Sequence, residues 1–257
     1  RALQDSVFQD DMIHRLHGGS FLVPGPESGP VKDGPIIDRY RGKPYIMGIT
    51  AELVAQMYNI SRQEMDEVAL RSHNNVERAT LEGDFREEIV PIEILQKKGK
   101  PPLIFDKDEH FRPKLTMEEL ASLPPGFFPK IGKVTAGNAS GINDGASAMI
   151  IMSAEKAKEL GLKPIAKIKA VGYGGCHPSV MGLSPTPAVR DLMKRSGLKL
   201  SDFELMEVNE AFAAQYLGVE KELGLNREIT NVNGSGIGLG HPVGSKVCRI
   251  MVTLIQA

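Results

Sequence analysis

Apolar and polar positions along the chain set out its elements. Met65, Val68, Ala69, Val76 and Ala79 recur at helical spacing, an apolar stripe with a polar remainder. Ser61 followed by Glu64 forms a capping box at its start, and Gly83 supplies the stop. Upstream, Met47-Gly48-Ile49-Thr50-Ala51-Glu52 predicts a short helix capped by Thr50 and ending near Asn59. Glu88–Ile94 reads as a strand, at an edge because of Pro91. Residues 96–134 are rich in loop formers, with a short capped helix over Thr116–Leu123.

From about residue 135 the pattern changes. Strand-length apolar runs at Ala148–Met152, Ile165–Val171, Leu205–Val208 and Ile229–Val232 alternate with helical stretches at 154–160, 187–196, 210–223 and 244–257. Ser153 as a cap, Pro187 near a first turn, and Gly161 and Gly197 as stops mark the boundaries. Alternation of this kind predicts an α/β layered fold. Segment 18–45 is dense in Gly and Pro, which sets turns and denies long helices. No fixed short repeat is present, and the change near 135 is the one boundary that composition suggests.

The 257 residues suffice for one large domain or two ordinary ones. With 31 Lys and Arg against 32 Asp and Glu, the chain lacks the broad basic surface expected of a nucleic-acid partner. No apolar run approaches the roughly 18 residues of a membrane span. Two cysteines, Cys176 and Cys248, exclude a disulfide scaffold and fit a reducing cytoplasm or organelle matrix. Arg1 in place of Met, and an apparent helix still running at Ala257, lead us to expect a fragment, a split subunit or an incomplete reading of a gene.

Three segments are candidates for chemistry. Asn231–Gly244 carries alternating glycines (Gly234, Gly236, Gly238, Gly240) ahead of His241-Pro242, between a predicted strand and helix. Such a loop admits a ligand to the backbone, but it matches neither the dinucleotide spacing nor a Walker motif. A turn histidine in a plain connector is the competing reading. Val208-Asn209-Glu210-Ala211-Phe212 falls where a strand gives way to a helix. Ligands bind beyond strand ends in open α/β sheets, and Asn209 is either an oxyanion donor or a simple helix cap. Thr135–Ala146, small and polar throughout, suits the floor under a thin ligand arm or a domain connector. No nucleophile elbow occurs, and His14, His17, His73, His110 and His177 are too scattered to suggest a metal site. Cys176-His177 reads as an incidental pair in a Gly-flanked turn, and Cys248 as packing.

Together these segments resemble the thiolase family, the acetyl-CoA acetyltransferases and 3-ketoacyl-CoA thiolases. Asn209-Glu210-Ala211-Phe212 and Gly240-His241-Pro242 carry the resemblance, with Met47–Glu52, the Ser61–Val76 helix, Phe105–Glu109 and Met181-Gly182. The resemblance implies a layered α/β/α/β/α fold, here incomplete, with a coenzyme A-binding loop domain at residues 1–142. Residues 143–163 would be the return of the N-terminal half, and residues 164–257 an incomplete C-terminal half. It implies reversible Claisen condensation or thiolysis of acyl-CoA thioesters through a cysteine acyl-enzyme, with coenzyme A thioester as substrate and no resident cofactor or metal. By the same resemblance His241 and Asn209 are catalytic, activating a cysteine and serving the oxyanion holes. Met47, Arg112, Ala136, Gly137, Ser140, Ala211 and Phe212 match substrate or coenzyme A contacts. A homodimer, a homotetramer or a complementary subunit is implied as partner.

The chain departs from the family's pattern in ways that bear on activity. Neither Cys176 nor Cys248 matches the nucleophile or the acid/base cysteine, so the chain alone is expected to be inactive. Ile46 stands where many relatives have His, Lys246 where a small residue is expected, and Val247 where Gly is. The competing expectation is a non-catalytic thiolase-like subunit that binds acyl-CoA or a protein.

Overall fold

A computed structural model describes residues 29–40, 46–97 and 99–257; most of the Gly/Pro-rich segment, His14 and His17 lie outside these. Short helix α1 (Pro35–Tyr40) precedes α2 (Met47–Met57) and the long α3 (Arg62–Glu82). Both halves of the capping box at Ser61 form, and Gly83 closes α3 in the left-handed region. The apolar stripe of α3 is buried in full, and Ser72 and His73 are buried with it. Thr50 is not the cap of α2. It lies within the helix, its Oγ1 donating to the Met47 carbonyl at 2.7 Å, and Ile46 occupies the N-cap position without a side-chain bond.

The predicted strand at Glu88–Ile94 is shorter. Residues 83–89 form turns, and pairing begins after Pro91, with β1 (Ile92–Ile94) antiparallel to β2 (Leu103–Phe105). Helix α4 (Met117–Ser122) follows, with a capping box at Thr116. Then come α5 (Ala154–Glu159), capped by Ser153, α6 (Pro185–Ser196), α7 (Ala213–Leu223), α8 (Gly236–Leu239) and α9 (Lys246–Gln256). Helix α7 starts three residues later than expected because Ala211 and Phe212 are drawn into backbone pairing with residues 138–140. Helix α9 starts late because Pro242–Ser245 closes a turn.

The four later strands do not form ladders. Met206 and Thr230 make one isolated parallel bridge, and no named strand covers 148–152 or 165–171. A strand is defined by its partner, and among the described residues none lies beside these two runs. Their apolar side chains are open to solvent, Ile150 at 87% and Ile165 at 86% exposure.

One apolar core unites both halves of the chain. Leu53 and Val54 of α2, Met65 and Ala69 of α3, Leu120 of α4, Val134, Leu183, Tyr216 and Leu217 of α7 and Ile237 of α8 all belong to it. Helix α2 packs on the 178–183 turn and α7, while α3 packs on α7 and α8. The last contact explains part of the glycine pattern. A Cβ on Gly238 would lie 2.7 Å from the Ser72 carbonyl oxygen and 2.7 Å from Val76 Cγ2, so only glycine lets the loop rest on the backbone of α3.

Candidate active site

The small polar segment after Thr135 is the ribbon on which the site is assembled. Asn138 is wholly buried, its Nδ2 donating to Asp66 Oδ1 of α3 at 2.8 Å and its Oδ1 accepting from Thr135 N at 2.8 Å. Downstream, Ala139 pairs with Phe212, and Ser140 N donates to the Ala211 carbonyl at 2.9 Å. Ile142 then bridges to His241, whose backbone N–H donates to Asn143 Oδ1 at 3.2 Å. One extended stretch therefore touches both the 209–212 junction and the glycine loop.

A buried carboxylate ties those two segments to α3. Glu210 accepts from Ser72 Oγ at 2.5 Å, Asn231 Nδ2 at 2.8 Å and Ile237 N at 3.4 Å. Asn231 also exchanges hydrogen bonds with the Val208 backbone, at 2.7 and 2.9 Å. Ser72 Oγ accepts in turn from Ser235 N and Gly238 N. Satisfied networks of this kind fix a single arrangement, because any displaced member leaves a buried polar group unpaired. Burial pushes the Glu210 carboxyl above its ordinary range, against the lowering effect of these donors.

Held in this way, Asn209 and His241 meet. Asn209 Nδ2 lies 3.4 Å from His241 Nε2, a separation at which one oxygen atom fits within hydrogen-bond distance of both. Asn209 Oδ1 and His241 Nδ1 are buried with no hydrogen-bond partner. Burial, with Lys246 and Arg249 nearby, holds His241 down to about 4, so at neutral pH the imidazole is uncharged and keeps one donor and one acceptor nitrogen. The arrangement can polarise a carbonyl oxygen or take a proton from an acid brought to it.

Behind the pair is a charged layer. Arg249 Nη1 lies 3.8 Å from Glu207 Oε2, yet burial outweighs the arginine and lifts Glu207 to about 8. Lys246 Nζ donates to the Gly240 carbonyl at 3.3 Å, and burial followed by repulsion from Arg249 lowers it to about 7.

The residues singled out in the sequence are placed unevenly. Ala136, Gly137 and Ser140 lie on the ribbon, and Ala211 and Phe212 lie opposite it beside the Asn209–His241 pair. Met47 is half exposed at the start of α2. Exposed Arg112 is anchored by its backbone N–H to His73 Nδ1 at 3.1 Å. No hydrogen bond among the described residues joins Met47 or Arg112 to the pair. Sequence reasoning overlooked Asn143, which holds the His241 backbone, and His110, whose Nδ1 lies 3.3 Å from Asn143 Nδ2. It also overlooked Glu207. The one available signal was the Asn-Asp-Gly turn at 143–145, which was read for its backbone alone. Cys176 Sγ donates to the Val180 carbonyl and also meets Ser184 Oγ, both at 3.3 Å, so it is turned towards its own loop. A groove lined by Met57, Cys176, His177, Thr186, Arg190 and Glu222 contains neither Asn209 nor His241. Among the described residues no three potential metal ligands cluster, and no helix is long and apolar enough to cross a membrane.

Two family models match the chain: thiolase, N-terminal domain, over residues 32–155, and thiolase, C-terminal domain, over residues 162–257. The chain belongs to the thiolase family. An acetyl-CoA acetyltransferase of Chromobacterium violaceum is 50% identical over 226 residues, covering 88% of this chain and 56% of the relative. A 3-ketoacyl-CoA thiolase of Marinobacter nauticus is 46% identical over 255 residues, covering 95% of this chain and 65% of that thiolase. Among solved thiolases, the Bacillus anthracis acetyl-CoA acetyltransferase superposes with a TM-score of 0.79 at 52% identity, covering 82% of this chain and 53% of its own. Human mitochondrial 3-ketoacyl-CoA thiolase in complex with CoA gives 0.73 at 42% identity, covering 82% of this chain and 51% of its own. The fold is thus a thiolase fold in part, and the chain spans about half to two thirds of the length of these thiolases.

Proposed function

We propose that this chain contributes the histidine and asparagine of a thiolase-type acyltransferase, acting on acyl-CoA thioesters by condensation and thiolysis. The approach of Asn209 Nδ2 to His241 Nε2 at 3.4 Å carries this reading. Both groups are aimed where a thioester carbonyl oxygen would gain negative charge, and both are half-buried, which strengthens such bonds. The names of the relatives supply the substrate class. Coenzyme A would run along the ribbon, its pantetheine between Ala136–Ser140 and Ala211–Phe212.

The reaction needs a thiolate nucleophile close to the imidazole. Neither Cys176 nor Cys248 shares a described hydrogen bond with His241, so on this reading the thiolate comes from another polypeptide segment. A complementary segment would also pair with the extended runs at 148–152 and 165–171. The same observation about the cysteines favours one second reading, a thiolase-like subunit that holds acyl-CoA without turning it over.

Calorimetric titration with a non-hydrolysable acetyl-CoA thioether tests the site. Wild-type chain should bind, and His241→Ala and Asn209→Ala should each weaken binding about tenfold, the loss of one well-placed hydrogen bond at roughly 1.4 kcal/mol. Equal affinity in all three proteins would remove the site from consideration. Acetoacetyl-CoA thiolysis by the chain alone should be at background; turnover would place the nucleophile within this chain.

A further inference from the structure

Lys246 is a buried ammonium in a place that the acyl-transfer reading does not use. It is 4% exposed at the first position of α9, yet its side chain runs back under the glycine loop, where Nζ donates to the Gly240 carbonyl. The position above Gly236 shows what it faces. A Cβ built there would lie 2.9 Å from Lys246 Nζ, 2.8 Å from Asn209 Oδ1 and 2.7 Å from the Glu210 carbonyl oxygen. One donor group and two acceptors thus converge on a gap that only a glycine leaves open. An ammonium has three N–H donors and no acceptor, and the Gly240 bond occupies one of them. Asn209 Oδ1, buried and without a hydrogen-bond partner, is the acceptor on the site side of this gap.

The consequence concerns the two ends of one amide. An Asn side chain can present either its oxygen or its NH₂ to a given neighbour, and the two choices differ only by a half-turn. If the NH₂ faced the ammonium, two donors would oppose each other in a desolvated space, at considerable cost. With Oδ1 towards Lys246, Nδ2 is left facing His241 Nε2 and the place of a carbonyl oxygen. We propose that Lys246 is the positioning residue of the Asn209–His241 pair: its ammonium, facing Asn209 Oδ1 across the gap at Gly236 without a hydrogen bond to it, orients the carboxamide with Nδ2 towards the site. The same charge also disfavours a proton on the adjacent imidazole. The purpose of this device rests on the acyl-transfer reading; its existence does not.

The groups around Lys246 decide when it works. Glu207 and Glu210 face it from the 205–212 segment, Arg249 from its own helix and His241 from the turn. Glu88 and Asp108 lie behind, facing Arg249. Below about pH 7 the ammonium is charged and the device is fully present; above it the charge fades, and with it the hold on both side chains.

Two-dimensional NMR of histidine ring signals in the full-length chain tests this, with His241→Gln identifying the His241 signal. Lys246→Met should raise the proton affinity of His241 roughly threefold to tenfold, the range expected for losing one nearby charge in a partly screened site. Lys246→Gln, which keeps length and a donor but not the charge, should do the same. His73 and His110 report whether each variant is folded. An unchanged His241 titration in a variant whose His73 and His110 behave as in the wild type overturns the proposal. Should both variants misfold, the wild-type chain decides alone: its His241 signal should show a second inflection near pH 7 as Lys246 titrates, and a single-step curve would overturn the proposal. These measurements read the free chain, so a failure to bind acyl-CoA leaves them intact, and a failure here leaves the acyl-CoA reading intact.

Discussion

A carboxylate at position 207 sits at a cost. Its side chain is 3% exposed, its Oε2 has no hydrogen-bond partner, and the nearer of its two cationic neighbours, Arg249, is 3.8 Å away. Burial lifts it from the ordinary 4.5 to about 8, so between those values the folded chain holds a proton that the unfolded chain has released. Stability from this group therefore declines as pH rises from about 4.5 to 8. His73 and His241 act in the opposite sense over an overlapping range, since both are lowered from 6.5 to about 4, and their contribution is lost as pH falls through that interval. Glu207→Gln should flatten the alkaline limb and leave the acid limb in place. Urea midpoints at pH 5 and pH 8 check this: the change from pH 5 to pH 8 should be less favourable in the wild type than in the variant, and equal changes would refute it. At this scale the sequence was partly legible. Asn209 and His241 stood out through their motif neighbours, whereas Asn143, His110 and Glu207 acquire meaning only once the ribbon brings distant segments together.

Elements whose signals are local were read correctly. Ser61 with Glu64, Thr116 with Glu119, and Ser153 each satisfy orphan amides within one turn, so sequence neighbours are also partners in space. Ser61→Ala should cost about 1 kcal/mol, the usual worth of an N-cap side chain, read as a lower urea midpoint; no change would mean that tertiary packing alone holds the start of α3. Elements whose definition depends on remote partners were misread. The apolar runs at 148–152 and 165–171 have the composition of strands, but a ladder needs a second strand that composition does not disclose. Likewise Thr50 has cap chemistry, yet Ile46 precedes it at the true helix start because burial of Ile49, Leu53 and Val54 against the 178–183 turn and α7 sets the helix phase.

At the scale of the molecule, the apolar surface is uneven. Ile150, Ile151, Ile165, Ile168, Val171 and Tyr173 are all more than half exposed, on two successive stretches outside any helix or strand. Surface of this kind drives association. Sedimentation velocity of the isolated chain should show concentration-dependent association, reduced by the double substitution Ile150→Lys with Ile165→Lys at little cost in thermal midpoint. Persistence of the association unchanged in that variant would locate the sticky surface elsewhere. The core that unites α2, α3 and α7 is untouched by these positions, so folding and association are separable properties here.

The ribbon from Asn138 to Asn143 has a final consequence. Its backbone is fastened near Phe212 at one end and near His241 at the other, so it works as a calliper whose span is counted in peptide units. The exposed side chain of Ile142 can vary in size without altering that span, whereas Asn138, Gly141 and Asn143 are each held by their contacts. A single residue inserted or deleted within it would put its two ends out of phase, shifting the floor beneath a bound chain relative to the imidazole. Length in this stretch is therefore constrained independently of the side chains, even at exposed Ile142.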